Sequence, residues 1–218
     1  PLSSLKENFS WVNSTNRLNR NTLSYIRKSL IDSNKEGTDM KTEIRLSGSG
    51  GQGVILAGII IAEAAISMGH NAVQSQSYGP EARGGASKAE VIINDEDIFF
   101  TKVLKPDIML SMTQDSYEKY NHDINHEGIL IIDDSIAPAC MDCKIYSLPI
   151  IKTARDVLKK PMVANIVALG AISELIDGFD VEAIENAIKA RIPQGTEEIN
   201  MRAFNEGRKM IQESQKEK

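Results

Sequence analysis

Two glycine-rich stretches carry the residue types best suited to handling an anion. Residues 48–53 read Gly48-Ser49-Gly50-Gly51-Gln52-Gly53, the spacing G-x-G-x-x-G. Residues 43–47 read as a strand and residues 54–68 as a helix, the setting in which that spacing acquires a meaning. Glycines there permit a tight turn and let a phosphate approach the helix N-terminus, whose free N–H groups favour negative charge. A dinucleotide site also needs a carboxylate about 20 residues further on, to hold a ribose. Here residues 74–78 read Gln-Ser-Gln-Ser-Tyr, and no carboxylate follows until Glu81. A self-sufficient NAD enzyme is therefore disfavoured, and the loop is either a phosphate cradle or a packing device. The second stretch sets Tyr78, Gly79, Pro80 and Glu81 before Arg83, Gly84 and Gly85. Pro80 keeps it out of a helix, and exposed backbone N–H groups beside a guanidinium suit an anion. The alternative is an ion pair of Arg83 with Glu81 or with another subunit.

Other candidates are plainer. Cys140 and Cys143 are the two cysteines of the chain, half of what an iron–sulfur cluster takes. They read as incidental loop residues rather than a redox or metal pair. His70, His122 and His126 show no ligand grouping, and no metal site is expected. Asp133 and Asp134 close an apolar strand, the ligand edge of many α/β sheets, yet paired aspartates there are more often a turn or cap device. Asn165, alone among apolar neighbours, reads as a buried polar residue bonded to backbone or to a nearby loop.

The elements that must position these residues follow from the rest of the pattern. The chain has 218 residues, 41% hydrophobic and 25% charged, with a net charge of −5. That balance suits a globular fold and argues against a nucleic-acid partner. Two cysteines make no disulfide framework, and no leader-like segment opens the chain, so the cytoplasm is the default location. The most apolar stretch, residues 54–66, is short for a membrane span and carries Glu63, so no membrane association is expected. Residues 1–39 hold thirteen Asn plus Ser and a local charge of +2, with Leu18, Leu23, Ile26 and Leu30 as thin support for a short helix. They read as an N-terminal extension, weakly ordered or non-native, since Met40 resembles a translation start. From Met40 strands and helices alternate. Strands are expected at residues 43–47, 71–77, 88–93, 107–112, 128–133 and 144–148, and helices at 54–68, 114–121, 150–159, 162–177, 181–191 and 197–213. The first three elements read as a βαβ unit, and residues 214–218 as a charged tail. The expectation is one three-layer Rossmann-like α/β domain over residues 40–213, with a mainly parallel sheet and a helical C-terminal part. Residues 54–68 and 162–176 are apolar on every face, so each helix must be covered all round, by its own domain or by a partner.

Taken together, Gly48 to Gly53, residues 76–85 (Gln-Ser-Tyr-Gly-Pro-Glu-Ala-Arg-Gly-Gly) and residues 164–170 (Ala-Asn-Ile-Val-Ala-Leu-Gly) resemble the gamma subunit of the 2-oxoacid:ferredoxin oxidoreductases. The similarity runs from about Met40 to about Gly207 and looks most like the 2-oxoglutarate branch; pyruvate, ketoisovalerate and indolepyruvate enzymes are the alternatives, as is a purely structural subunit. The resemblance implies a non-autonomous subunit of an enzyme that turns a 2-oxoacid, coenzyme A and oxidised ferredoxin into acyl-CoA, carbon dioxide and reduced ferredoxin. It further implies alpha, beta and delta (ferredoxin-like) partner subunits, with thiamine diphosphate and iron–sulfur clusters on those chains. This chain would carry no catalytic residue and no cofactor of its own. Gly48, Gly50, Gly51, Gln52, Gly53, Tyr78, Arg83, Gly84 and Gly85 would lie near the coenzyme A site or a subunit interface.

Overall fold

The computed structural model describes residues 40–77, 85–139 and 142–216. The chain divides into two units, Pro1–Thr38 and Asp39–Lys218, and the described residues all belong to the second. The expected N-terminal extension therefore lies outside them, as do Tyr78, Arg83, Gly84 and Cys140.

The order is β1 (Lys41–Ser49), α1 (Val54–Ser67), β2 (Asn71–Ser77), β3 (Ala86–Asn94), β4 (Ile108–Ser111), α2 (Gln114–Tyr120), β5 (Ile129–Asp133) and β6 (Lys144–Leu148). Then come α3 (Ile150–Lys152), α4 (Ala164–Ser173), α5 (Val181–Arg191) and α6 (Glu197–Lys216). The strands form one sheet in the order β2-β3-β1-β4-β5-β6. β1, β4, β5 and β6 pair in parallel, while β3 runs antiparallel between β1 and β2. The expected mainly parallel α/β sheet is thus present, but the first three elements are not an adjacent βαβ unit. Composition gives the reason. The second half of β2 is Gln74-Ser75-Gln76-Ser77, suited to an edge, whereas β3 buries Ala89, Val91, Ile92 and Ile93 and belongs inside the sheet.

Alternation along the strands separates two faces. Ile44, Leu46, Val91, Ile93, Leu110 and Ile131 join the main core with α1, α4, α5 and α6, while Met109, Leu130 and Ile132 pack with Tyr117 of α2 on the other face. Beneath α2 the sheet also buries charge. Arg45 donates to Glu90 at 2.9 Å and to the carbonyl oxygens of Val103, His122 and Tyr120, and Lys88 reaches the same carboxylate at 2.8 Å. One guanidinium thereby fastens two connecting loops to the sheet.

Both all-apolar helices are covered largely from within. Every residue of α4 is buried, and α1 buries most of its length, with Ile66 left exposed. α6 buries Asn200, Ala203, Phe204, Gly207 and Ile211, a single stripe at helical spacing. The helix continues through Lys216, beyond the start of the expected tail. The expected helix over residues 150–159 is instead the single turn α3 followed by a π-helical turn, Thr153–Val157. Pro161 disfavours helical backbone at Lys160, and Lys159 closes the turn at φ 55°.

Where α4 crosses α6 the backbones touch. A Cβ on Gly170 would overlap the carbonyl oxygen of Phe204, and one on Gly207 would overlap that of Val167. Gly170→Ala is therefore expected to cost about 1–3 kcal/mol and to lower Tm in a thermal melt by several degrees. An unchanged Tm would mean that the crossing opens freely.

At the far side of α1, Arg191 of α5 donates two hydrogen bonds to the Glu63 carboxylate. Those bonds hold the Glu63 pKa below its ordinary value, against the opposing effect of burial and with charge attraction adding. A depressed folded pKa means stability that is present above the unfolded value of about 4.3 and is lost as pH falls through the folded value. Because the pair is a third or more exposed, its contribution is below about 1 kcal/mol. Glu63→Gln should lower Tm by a few degrees at most at pH 7, and the difference should shrink as the pH falls below the unfolded value; a gap widening in acid would contradict this assignment.

Candidate functional site

The chain leaves β1 toward β2 through α1 and leaves β4 toward β5 through α2, so the strand order reverses between β1 and β4. In open α/β sheets ligands bind at such a point, outside the carboxyl ends of the strands. The expected glycine loop, residues 48–53, lies there.

Its residues divide into two groups. Gly48 sits within β1 opposite Ser87, and a Cβ on it would come within 2.6 Å of Gln52 Oε1, so it serves packing. Gln52 turns the same Oε1 inward to accept the Ser49 N–H at 2.7 Å, and its own N–H donates to the Ser49 carbonyl. The loop is thus braced by its own side chain. Gly50 and Gly51 are exposed at the tip. Gly53 caps α1 at φ 74°, ψ 18°, a conformation that favours glycine, and offers α1 no side-chain cap. By contrast, α2 is closed by a reciprocal Thr113–Ser116 capping box and α5 by Asp180. The first-turn N–H groups of α1 are left for solvent or an anion.

Two contacts fix this loop against its surroundings, and a third holds the strand beside it. The Gly50 N–H donates to the Gly85 carbonyl at 3.0 Å, which joins the two glycine-rich stretches. The Tyr120 hydroxyl donates to the carbonyl of Ala86, the next residue, at 3.1 Å. Asn165, buried in the first turn of α4, donates through Nδ2 to the Gly53 carbonyl at 3.3 Å. The expected role of Asn165 as a buried tie to a nearby loop is what its geometry displays. Of the nine candidate residues, Gly48, Gly50, Gly51, Gln52, Gly53 and Gly85 gather here, and Tyr78, Arg83 and Gly84 lie outside the described residues. Tyr120 had no signal in the sequence beyond an aromatic ring ending a short polar helix.

The remaining candidates are structural. Asp133, buried at the end of β5, accepts from Ser135 through one oxygen and from the Ile151 N–H through the other at 2.8 Å, the cap expected of it. His70 pairs with Asp95. Burial, with Asp142 adding, raises the pKa of the Cys143 thiol, the wrong direction for a thiolate ligand. With two cysteines in the sequence, this donor set does not fit an iron–sulfur cluster.

The profile of the family described as pyruvate ferredoxin/flavodoxin oxidoreductase matches residues 43–210. The chain belongs to that family. It is 46% identical over 185 residues to the 2-oxoglutarate synthase subunit KorC of Methanocaldococcus jannaschii, an alignment covering 83% of this chain and 99% of that one. The keto/oxoacid ferredoxin oxidoreductase gamma subunit of Geobacter sulfurreducens superposes with a TM-score of 0.71 at 44% identity, covering 79% of this chain and 99% of that one. The 2-oxoglutarate:ferredoxin oxidoreductase of Magnetococcus marinus, solved with 2-oxoglutarate, coenzyme A and succinyl-CoA bound, shares the fold at 22% identity and TM-score 0.74. There the match covers 81% of this chain but 32% of the other.

Gly53→Ala should cost about 1–3 kcal/mol, because it combines a positive φ with a Cβ 2.6 Å from Asn165 Nδ2. Adding Asn165→Ala should restore the part due to overlap and leave the part due to φ. Strict additivity of the two substitutions in urea unfolding would mean that the Asn165 contact does not shape this loop.

Proposed function

We propose that the chain is the gamma-type subunit of a 2-oxoglutarate:ferredoxin oxidoreductase and supplies part of the coenzyme A site without a redox centre of its own. The observation that carries the coenzyme A part is the Gly50 N–H to Gly85 carbonyl bond at 3.0 Å. It joins the described end of the second glycine-rich stretch to the loop that leads into the uncapped start of α1, which supports reading the two stretches as one anion site, with Arg83 as its guanidinium. The 46% identity to a 2-oxoglutarate synthase subunit favours that branch over the pyruvate and ketoisovalerate enzymes.

Decarboxylation of the 2-oxoacid and electron transfer fall to thiamine diphosphate and iron–sulfur clusters on alpha, beta and delta subunits, with ferredoxin as acceptor. What this chain does is bind and orient. Gly50 and Gly51 let a phosphate reach backbone, the α1 dipole favours its charge, and Arg83 adds a charge-assisted contact worth roughly 1.5–3 kcal/mol.

The test uses the reconstituted complex, since the chain alone should not reduce a viologen with 2-oxoglutarate and coenzyme A. Arg83→Ala should raise the KM for coenzyme A about ten- to a hundredfold and leave decarboxylation before coenzyme A enters nearly unchanged. Loss of subunits on gel filtration, with every partial reaction impaired together, would make Arg83 an interface residue. Unchanged assembly and unchanged coenzyme A kinetics would remove this loop from the coenzyme A site.

A further inference from the structure

Tyr120 ends α2, a helix whose packing against the sheet is already provided by Tyr117, only 2% exposed. Its own ring stays half-buried at the margin of the second core, so burial alone does not account for its placement. Three groups nevertheless hold it. Arg45 Nη1 donates to its backbone carbonyl at 3.3 Å, and the ammonium groups of Lys88 and Lys119 lie 5.6 and 5.3 Å from the centre of its ring. Held in this way, the side chain directs its hydroxyl to the Ala86 carbonyl at 3.1 Å.

Ala86 is the residue at which the second glycine-rich stretch enters β3. The bond from the Gly50 N–H to the Gly85 carbonyl makes these two residues a hydrogen-bonded antiparallel pair, so the next pair, Ser49 with Ala86, turns its backbone groups away from each other. On its other side, the described ladder of β3 with β2 ends at Ser77 and Lys88, two residues short of Ala86. The Ala86 carbonyl thus lies past the end of that ladder, where water would satisfy it as well as protein does, and it is a phenol held by three groups that donates to it. The two bonds act on the two peptide planes flanking the Ala86 Cα. Gly50 holds the plane before it and Tyr120 the plane after it, which together fix both dihedrals of Ala86. Gly85 is thereby kept against the exposed tip of the glycine loop.

We propose that Tyr120 is a positioning residue for coenzyme A, acting through Ala86, Gly85 and Gly50 without touching the ligand. The inference rests on the coenzyme A reading given above.

The experiment compares two variants in the reconstituted complex. Tyr120→Phe keeps the ring and removes the hydroxyl; Tyr117→Phe removes from the same helix a hydroxyl that accepts the Ala139 N–H at 3.1 Å. Tyr120→Phe should raise the KM for coenzyme A about two- to tenfold, the range for one neutral hydrogen bond, and leave kcat, the KM for 2-oxoglutarate and Tm nearly unchanged. Tyr117→Phe should leave the KM for coenzyme A as it was, whatever it does to Tm. In the full chain without its partners, the Gly50 amide should exchange its hydrogen faster in Tyr120→Phe, while the Asp134 amide, bonded to the Leu148 carbonyl, should keep its rate. Unchanged exchange at Gly50 overturns the proposal, as does a KM for coenzyme A that Tyr117→Phe raises equally. Impaired assembly with every partial reaction slowed together overturns it too, and makes Tyr120 a residue of stability alone. An unchanged KM in Tyr120→Phe beside a raised one in Arg83→Ala ends the proposal and keeps the coenzyme A reading; unchanged values in both end the two together.

Discussion

The backbone contact between α4 and α6 is the constraint on which the candidate site depends. Gly170 and Gly207 let the two helices meet without side chains between them, so α4 sinks until each of its ten residues is buried. Only at that depth can Asn165 reach the Gly53 carbonyl from below. Asn165 then occupies the space a Cβ on residue 53 would need, and the loop before α1 is fixed in a left-handed conformation. A packing event between two C-terminal helices therefore sets the geometry of a loop more than a hundred residues earlier in the chain. Loops of this kind are precise only when the layer behind them is rigid.

The other face of the sheet solves its burial problem differently. Four helices cover the first face with aliphatic side chains, whereas α2 is seven residues long and cannot cover the second alone. Arg45 fills the gap with its stem and directs its donors to Glu90, to the loop carbonyls of Val103 and His122, and to the carbonyl of Tyr120 at the end of α2. Removing either charge would leave the other buried without its partner, so the pair resists piecemeal change even though its net contribution is modest. Its consequence for the site is indirect: the same group of contacts ends at Tyr120, whose ring lies under Lys88 and whose hydroxyl holds Ala86. The exit of the second glycine-rich stretch is thereby held from α2 as well as from Gly50.

Period and punctuation made much of this legible in the sequence. Strands of alternating or continuous apolar residues and the helices between them fell where local pattern is strong, and the turn role of Asp133 and the buried tie of Asn165 followed from a polar residue placed among apolar ones. What local pattern could not give was pairing. β3 inserts beside β1 because it is buried along most of its length, Glu90 included, which pairs with Arg45 of β1, and β2 is not, a comparison between strands that no window on one strand contains. The π turn after α3 was hidden for the same reason, since residues 150–159 have ordinary helical composition and only Pro161 and the capping of α3 by Asp133 disturb it. Tyr120 and the Arg45 contacts join residues far apart in sequence and of unremarkable type.

Electrostatics explains why such a chain would work at an edge and in company. With a net charge of −5, the chain as a whole repels an anion, so any attraction must be local: the uncapped N–H groups of α1 and, on the proposed reading, the guanidinium of Arg83. Local fields of this size fade within about 8–10 Å in physiological salt, and exposed groups facing open water lose most of their strength. A neighbouring chain laid against the same edge removes that water and lowers the local dielectric. On the proposed reading, the site is therefore strongest when the subunit is assembled, which couples formation of the complex to binding of its anionic substrate and leaves the free subunit without useful affinity.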